Sequence, residues 1–267
     1  MFQEHIEPIL PELSHKLVKT PDTRVYQNHI HNHCEILLFV RGNADYNIDG
    51  QRFCPSPYDL LFIPAATYHY LIPTAAIPYE NYVIGITPDF MTAAQYEKLF
   101  SPPYMIRIKE DSELRGFFKR LDDYAERYSN EDFHACASAV VREIITYCAY
   151  RKDALHSVHS GSPAHIDKIV GYVSEHLTEP LSASIIAREL LLSRSYVQNL
   201  FSAYMHIGLK TYIMQKKIYA AHHDLENGIP PGVVAEKYCF GDYSGFYRLY
   251  KKTFSRPPRA KQAQKEI

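Results

Sequence analysis

The sequence predicts a multidomain α+β chain: a small β-barrel first, two amphipathic helices after it, and an all-α domain with two helix-turn-helix motifs. Three observations predict this. Between Arg24 and Ile86 short apolar runs of strand length recur, separated by turn residues. From Asp111 the apolar spacing changes to that of a helix. Between Ser182 and Lys252 one local device appears twice. With 267 residues the chain can fill two separate cores.

In order, residues 1–22 are polar and Pro-bearing with few apolar anchors. They read as an N-terminal arm, ordered only when something binds it. Glu35 to Val40 is a buried strand, and Asn43 to Ile48 alternates. Asp49-Gly50 is a hairpin turn signal leading into Gln51 to Phe53. Asp59 to Ile63, Tyr68 to Ile72 and Tyr79 to Ile86 complete a set that fits a small barrel or sandwich. Leu114, Phe117, Phe118, Leu121 and Ala125 then fall on one helical face, capped by Asp111 or Ser112. A second helix begins near Ser129-Asn130, with Phe133, Ala137, Val140, Val141, Ile144 and Cys148 on its apolar face. Residues 152–164 carry His, Ser and Gly with little apolar content and read as a linker.

A helix with Ile166, Ile169, Val170, Val173 and Leu177 inward opens the last domain, with Pro180 as its stop. Ser182 can cap a short helix packed through Ile186, Ala187 and Leu190. Ser193 can cap the next, packed through Val197, Leu200 and Phe201. So short a turn forces a steep crossing, and Ala187 is small enough to allow it. This is the helix-turn-helix arrangement, whose second helix suits a DNA major groove. A long helix from Lys210 to Leu225 follows. The device then repeats, with Ala235 in the place of Ala187, Asp242 in that of Ser193, and Phe246 and Tyr250 in those of Val197 and Phe201.

From about Ile166 to Pro258 the chain resembles the DNA-binding domain of AraC-type transcription regulators. The resemblance rests on Ala187, Ser193, Phe201, Tyr212-Ile213, Val234-Ala235, Phe240-Gly241-Asp242, Ser244, Phe246 and Tyr250-Lys251-Lys252. Cys239, His206 and Ser255 stand where that family usually has Gly, and Lys217 where it usually has Arg. The earlier region resembles a cupin barrel, the sensor domain of many such regulators. There the carriers are His29-x-His31, Glu35 and Gly42, then Pro64 and His69. Tyr58 and Ala66 replace glycines of the second cupin motif, and Pro73 replaces its Asn. The resemblance implies a cupin-like sensor and dimerisation domain over 23–151 and an AraC-type DNA-binding domain over 165–267.

Charge agrees with that division. From Pro163 onward there are 14 Lys plus Arg against 9 Asp plus Glu, a net of +5. The preceding residues hold 15 against 21, a net of −6. Phosphates need basic partners, and the basic half is the one with the tandem motif. Five scattered cysteines without a Cys-x-x-Cys pair argue against a disulfide framework or a zinc module and for reduced, mostly buried thiols. No apolar run approaches the ~20 residues of a membrane span. The N-terminus lacks a signal core, so a cytoplasmic location is expected.

On the two recognition helices the apolar residues fix the inward face. Arg194, Ser195, Gln198 and Asn199 remain outward on the first, and Tyr243, Ser244, Tyr247 and Arg248 on the second. Gln198 and Asn199 can pair bidentately with adenine, and Arg248 with guanine. Lys210, Lys216, Lys217, Lys251 and Lys252 are expected on phosphates.

In the barrel, His29, His31 and Glu35 share strand parity, as does position 33. With His69 they could hold a divalent metal such as Fe(II), Mn or Zn. The reading carried forward is a metal-free pocket, with no cofactor and no catalytic residue, in which these groups bind a small polar effector such as a sugar. Tyr26, Tyr46 and Tyr82 would line it. Structural histidines, with the ligand elsewhere, are the third reading. The whole is expected to be an effector-controlled, homodimeric regulator of double-stranded DNA, in contact with RNA polymerase if it activates. The alternative is a metal-dependent cupin enzyme fused to a DNA-binding domain.

Overall fold

The structure, a computed structural model, describes residues 11–22, 29–102, 104–108, 111–152 and 161–259. The chain divides into two compact units, Met1–Gly161 and Ser162–Ile267. No helix among the described residues is long and apolar enough to cross a membrane.

The first unit holds two antiparallel sheets. β1 (Glu12–Val18), β7 (Tyr79–Ile86), β2 (Cys34–Arg41), β5 (Asp59–Ile63) and β8 (Met105–Arg107) lie side by side in that order. β4 (Gln51–Phe53), β3 (Ala44–Ile48) and β6 (His69–Pro73) form the second sheet. β2 reads as a continuous apolar run because both its faces are covered. Leu37 and Phe39 join Leu61, Ile63, Tyr46, Ile48 and Phe53 in a core between the sheets. Ile36 and Leu38 join Leu60, Phe62 and Ile84 in a second core on the opposite face.

Three helices close that second core: α1 (Ala93–Phe100), α2 (Ser112–Arg127) and α3 (Asn130–Arg151). Asp111 caps α2 by accepting from the Leu114 amide at 3.0 Å, and Ser129 caps α3. Leu114, Phe118, Val140, Val141 and Ile144 all pack against the sheet, so the apolar faces of α2 and α3 are largely spent within the unit. Lys152, expected in the linker, is buried, and its ammonium donates to the carbonyls of Lys98, Leu99 and Ser101 at the end of α1.

Two turns illustrate the local chemistry. Asp49 and Gly50 both take positive φ, 47° and 91°, which closes β3 to β4 as the Asp-Gly pair predicts. Gly42 takes φ 117°, and a Cβ there would lie 2.4 Å from Cβ of Tyr79, so only glycine fits.

Residues 12–18, expected to belong to an unanchored arm, instead form β1 along β7 from Glu12↔Gly85 to Val18↔Tyr79. His15 fastens it. Its ring stacks on Tyr82 at 3.8 Å and its nitrogens meet Glu80 at 2.9 Å and Asp122 at 3.0 Å.

Among the described residues the second unit is all helical: α4 (Ala164–Glu175), α5 (Ala183–Glu189), α6 (Arg194–Met205), α7 (Leu209–Glu226), α8 (Pro231–Lys237) and α9 (Tyr243–Phe254). α4 ends at Glu175, before the Pro180 that was expected to stop it. The duplication is close. Ser193 accepts from the Tyr196 amide at 3.2 Å and Asp242 from the Gly245 amide at 2.7 Å. In the two turns, the Leu192 amide donates to the Ala187 carbonyl and the Phe240 amide to the Ala235 carbonyl. Leu191 and Cys239 both take positive φ, 56° and 53°. α6 and α9 each have 12 residues and end on a left-handed residue, His206 and Ser255. The second turn is one residue longer, the addition falling beside Gly241 at φ 87°.

Candidate DNA interface and effector pocket

α6 is held by the burial of Val197, Phe201 and Met205, and α9 by that of Phe246 and Tyr250. That leaves Arg194, Ser195, Gln198 and Asn199 exposed on α6, and Tyr243, Ser244, Tyr247 and Arg248 exposed on α9. Each set lies within the first half of its helix. Tyr196, absent from the sequence-derived set, is also exposed on α6, and its hydroxyl meets His165 Nδ1 at 3.0 Å. Lys210, Lys251 and Lys252 are exposed.

Lys217 does not fit its expected phosphate role. Its side chain is buried, and the ammonium donates to the Glu179 carbonyl at 2.6 Å and the Tyr238 carbonyl at 2.9 Å. Burial holds its pKa below that of a free lysine. The residue ties the segment after α4 to the end of α8. A long cationic side chain reads as surface in a sequence, and nothing local marks this one as a clasp.

In the first unit, His29, His31, Glu35 and His69 come together, with one donor atom from each lying within 4.8 Å of all the others. Glu35 alternates with Leu37 and so faces the space between the sheets. His29 reaches it through a backbone bridge to His69, their amides and carbonyls exchanging bonds at 3.0 and 3.1 Å. His31 Nε2 stands 3.1 Å from Glu35 Oε1, and His69 Nε2 3.5 Å from Oε2. Burial alone would raise the Glu35 pKa, but the imidazoles of His31, His33 and His69 outweigh it and hold the group well below the usual carboxylate range.

His33 is the member that sequence reasoning passed over, although it shares the parity. Its ring lies flat on His31, centroids 3.7 Å apart and planes 1° apart, with Nε2 3.8 Å from Glu35 Oε1.

Of the three tyrosines expected around the pocket, Tyr46 is buried in the inter-sheet core, where its hydroxyl accepts from Asn81 Nδ2 at 3.2 Å. Burial pushes its pKa up, and the Glu35 carboxylate adds to the rise. Tyr82 lies on the wrong face. It pairs with Leu38, so its ring points to the helices, packs near Phe118, and its hydroxyl donates to Asp122. There it borders a groove of ≈ 470 Å³ with Tyr58, Arg115 and Lys119. Tyr26 lies outside the described residues.

Of the thiols, Cys34 and Cys148 are buried, and burial pushes each up to about 12, while Cys54 and Cys239 are exposed; all five are free.

A two-sheet domain with an inward cluster of histidines around one carboxylate, followed by a duplicated helix-turn-helix unit, is the architecture of a DNA-binding regulator with its own ligand-binding domain. Comparison with known proteins gives the same class. Residues 17–139 match the AraC-like ligand binding domain, and residues 186–264 match a helix-turn-helix domain. The HTH-type transcriptional activator RhaS of Enterobacter sp. strain 638 is 21% identical over 262 residues, covering 95% of this chain and 90% of that protein. The Regulatory protein SoxS of Escherichia coli K12 is 26% identical over 94 residues, covering 35% of this chain and 88% of SoxS. Among solved structures, ToxT from Vibrio cholerae aligns over 93% of this chain and 96% of its own, with 13% identity and a TM-score of 0.39.

The chain belongs to the AraC-type transcription regulators: a DNA-binding regulator with an N-terminal ligand-binding domain.

Proposed function

We propose that this regulator reads DNA with α6 and α9 in two successive major-groove segments and is controlled by a small molecule held in the N-terminal unit. The observation that carries the reading is the duplication. Two helices of equal length, each capped at its first turn and ended by a left-handed residue, keep polar first halves exposed. Gln198, Asn199 and Arg248 carry bidentate base readout, with Arg194, Ser195, Tyr243, Ser244 and Tyr247 beside them. Lys210 and Lys251 take phosphates. His29, His31, Glu35, His69 and Tyr46 form the effector pocket.

The protein acts in the cytoplasm as a homodimer and not as an enzyme. The sensor domain ends at about Lys152, whose ammonium is bonded into the first unit, and the DNA-binding domain begins at about residue 165. A sugar or other polar organic suits the pocket's imidazoles and carboxylate. A polymerase contact is needed if the protein activates. Control requires that the effector prefer one arrangement of the chain over another.

Binding to genomic DNA fragments, including the protein's own promoter, across a salt series tests this. Wild type should prefer a few fragments well above background. Gln198→Ala and Arg248→Ala should lose the preference and keep weak, salt-dependent binding. Equal binding to all fragments by wild type, with and without a panel of candidate effectors, would refute the reading.

A further inference from the structure

On the outer face of the five-stranded sheet, away from the histidine cluster, a groove of ≈ 470 Å³ lies between α2 and the strands β2 and β7. That size is within the range of small-molecule sites. Its apolar wall is Leu38 and Val40 of β2, Tyr82 of β7 and Phe118 of α2. Leu38 pairs with Tyr82, which fixes this wall on the face opposite the inter-sheet core.

Three features of the groove work against the fold's own stability. The first is unbalanced charge. Arg115 and Lys119 stand one helical turn apart on α2, and like charges at that spacing repel. Arg120 of the same helix has Glu143 at 3.1 Å, but among the described residues neither Arg115 nor Lys119 has such a carboxylate. The Arg115 Nε is shut off from solvent without a hydrogen-bond partner. Glu80, the acidic residue that lines the groove, has both oxygens taken, by His15 at 2.9 Å and Arg41 at 2.7 Å. Positive charge therefore stands uncompensated beside an apolar wall.

The second is backbone strain. The Arg115 guanidinium lies over the Tyr58 ring, 4.8 Å from its centroid, and Tyr58 takes φ 67°. A residue with a side chain is held there against its own preference, and such residues gather at ligand sites. The third is Gly116, which falls inside α2 between the two cations, where glycine lowers helix stability. No packing demands it, since a Cβ there would meet nothing within 4 Å. The missing side chain leaves space in the groove that Gly116 lines.

We propose that this groove is a binding site for a small aromatic carboxylate, separate from the histidine cluster between the sheets. The Arg115 guanidinium, set over Tyr58, offers its fork of N–H donors to the carboxylate oxygens, and Lys119 adds a second positive charge. The aromatic ring lies against Leu38, Tyr82 and Phe118. A small inorganic anion would leave that wall bare, and a neutral ring would leave the cations unanswered.

The test uses the full chain at fixed ionic strength. The probes are sodium benzoate and 3-phenylpropanoate, with their amides as uncharged counterparts. Binding is read by calorimetry and by the thermal midpoint. At least one of the two acids should bind at one equivalent per chain and raise the midpoint, since it binds the folded state. Its amide should bind roughly tenfold more weakly, lacking the charge-assisted bonds. Arg115→Gln should weaken the acid roughly tenfold. Gly116→Leu should fill the groove and abolish binding, while the midpoint of the free protein holds or rises. Arg120→Gln, at a paired cation of the same helix, should bind as wild type does. Absence of binding by wild type to both acids overturns the site, as does equal binding of acid and amide. Binding unchanged in folded Arg115→Gln and Gly116→Leu would place the acid elsewhere, the space between the sheets included, and overturns it too. A change of oligomeric state in Gly116→Leu, with neither acid bound by wild type, would instead make the groove a contact between copies of this chain. None of these readouts needs DNA, so the outcome is independent of the regulator reading.

Discussion

Lys217 and Tyr238 meet at 2.9 Å, the ammonium on α7 donating to the carbonyl that closes α8, while the same ammonium donates to Glu179 at 2.6 Å. Replacing it by Met keeps the volume and strands a buried carbonyl, at a cost of about 1–3 kcal/mol. Lys217→Met should therefore lower the thermal midpoint, and folded protein should retain its dependence of DNA affinity on salt. Lys210→Met, at an exposed site, should leave the midpoint unchanged and reduce the salt slope by about one. The opposite pattern would return Lys217 to the DNA surface.

Because α6 and α9 belong to one compact unit, their distance is set by the protein. A preferred fragment should then contain two short determinants about one helical turn apart. Inserting about five base pairs between them turns one to the far side of the duplex. Affinity should fall towards the nonspecific level, and footprinting should show one protected determinant. An unchanged footprint would mean that only one recognition helix reads bases.

His222 gives the second unit a pH dependence. Its Nδ1 meets the Tyr250 hydroxyl at 2.7 Å and its ring stacks on Phe254 at 4.2 Å. Burial holds its pKa below the usual histidine value; Glu226 opposes that shift, and Arg256 and His223 add to it. The unfolded chain therefore takes the proton first as pH falls. The stability that this group contributes is full above about pH 6.5, the unfolded value, and declines on acidification towards the folded one. His206 is shifted the same way by burial, so His222→Gln should remove part of the decline and not all of it. Thermal midpoints of the full chain between about pH 5 and 7.5 would show this. A midpoint that rises on acidification in this range would contradict the sign.

Five residues stand where the resemblances lead one to expect glycine, and all five take positive φ: Tyr58 67°, Ala66 57°, His206 54°, Cys239 53° and Ser255 56°. A left-handed L-residue costs roughly 1–2 kcal/mol, offset partly by glycine's greater freedom when unfolded. Ser255→Gly, at an exposed helix end, should gain about 0.5 kcal/mol, and Ser255→Val should lose more than that. Denaturation of the three proteins side by side measures the order.

Those glycine departures were legible in the sequence, as were β2 to β7 and the duplicated caps, because alternation, turn residues and capping side chains are local signals. β1 was not. As an edge strand it has Leu17 47% exposed, which leaves little alternation to read. α1 is short, and its Thr92–Gln95 capping box is the local signal that marks its start. Tyr82 was misassigned for a different reason. Its face depends on pairing with Leu38, and the register between two distant strands is not written in either one. The same parity rule that joined His31 and Glu35 also marked His33, whose contribution became visible only through its stacking.

The two helix-turn-helix turns differ by one residue beside Gly241, and the exposed faces of α6 and α9 have only Ser195 and Ser244 in common. A site read by these two helices has a front and a back. Reversing it in a promoter would keep every base pair and exchange which end of the protein points towards the transcription start. The one extra residue of the second turn thus becomes an arrow drawn on the DNA, and orientation joins sequence as information the regulator can use.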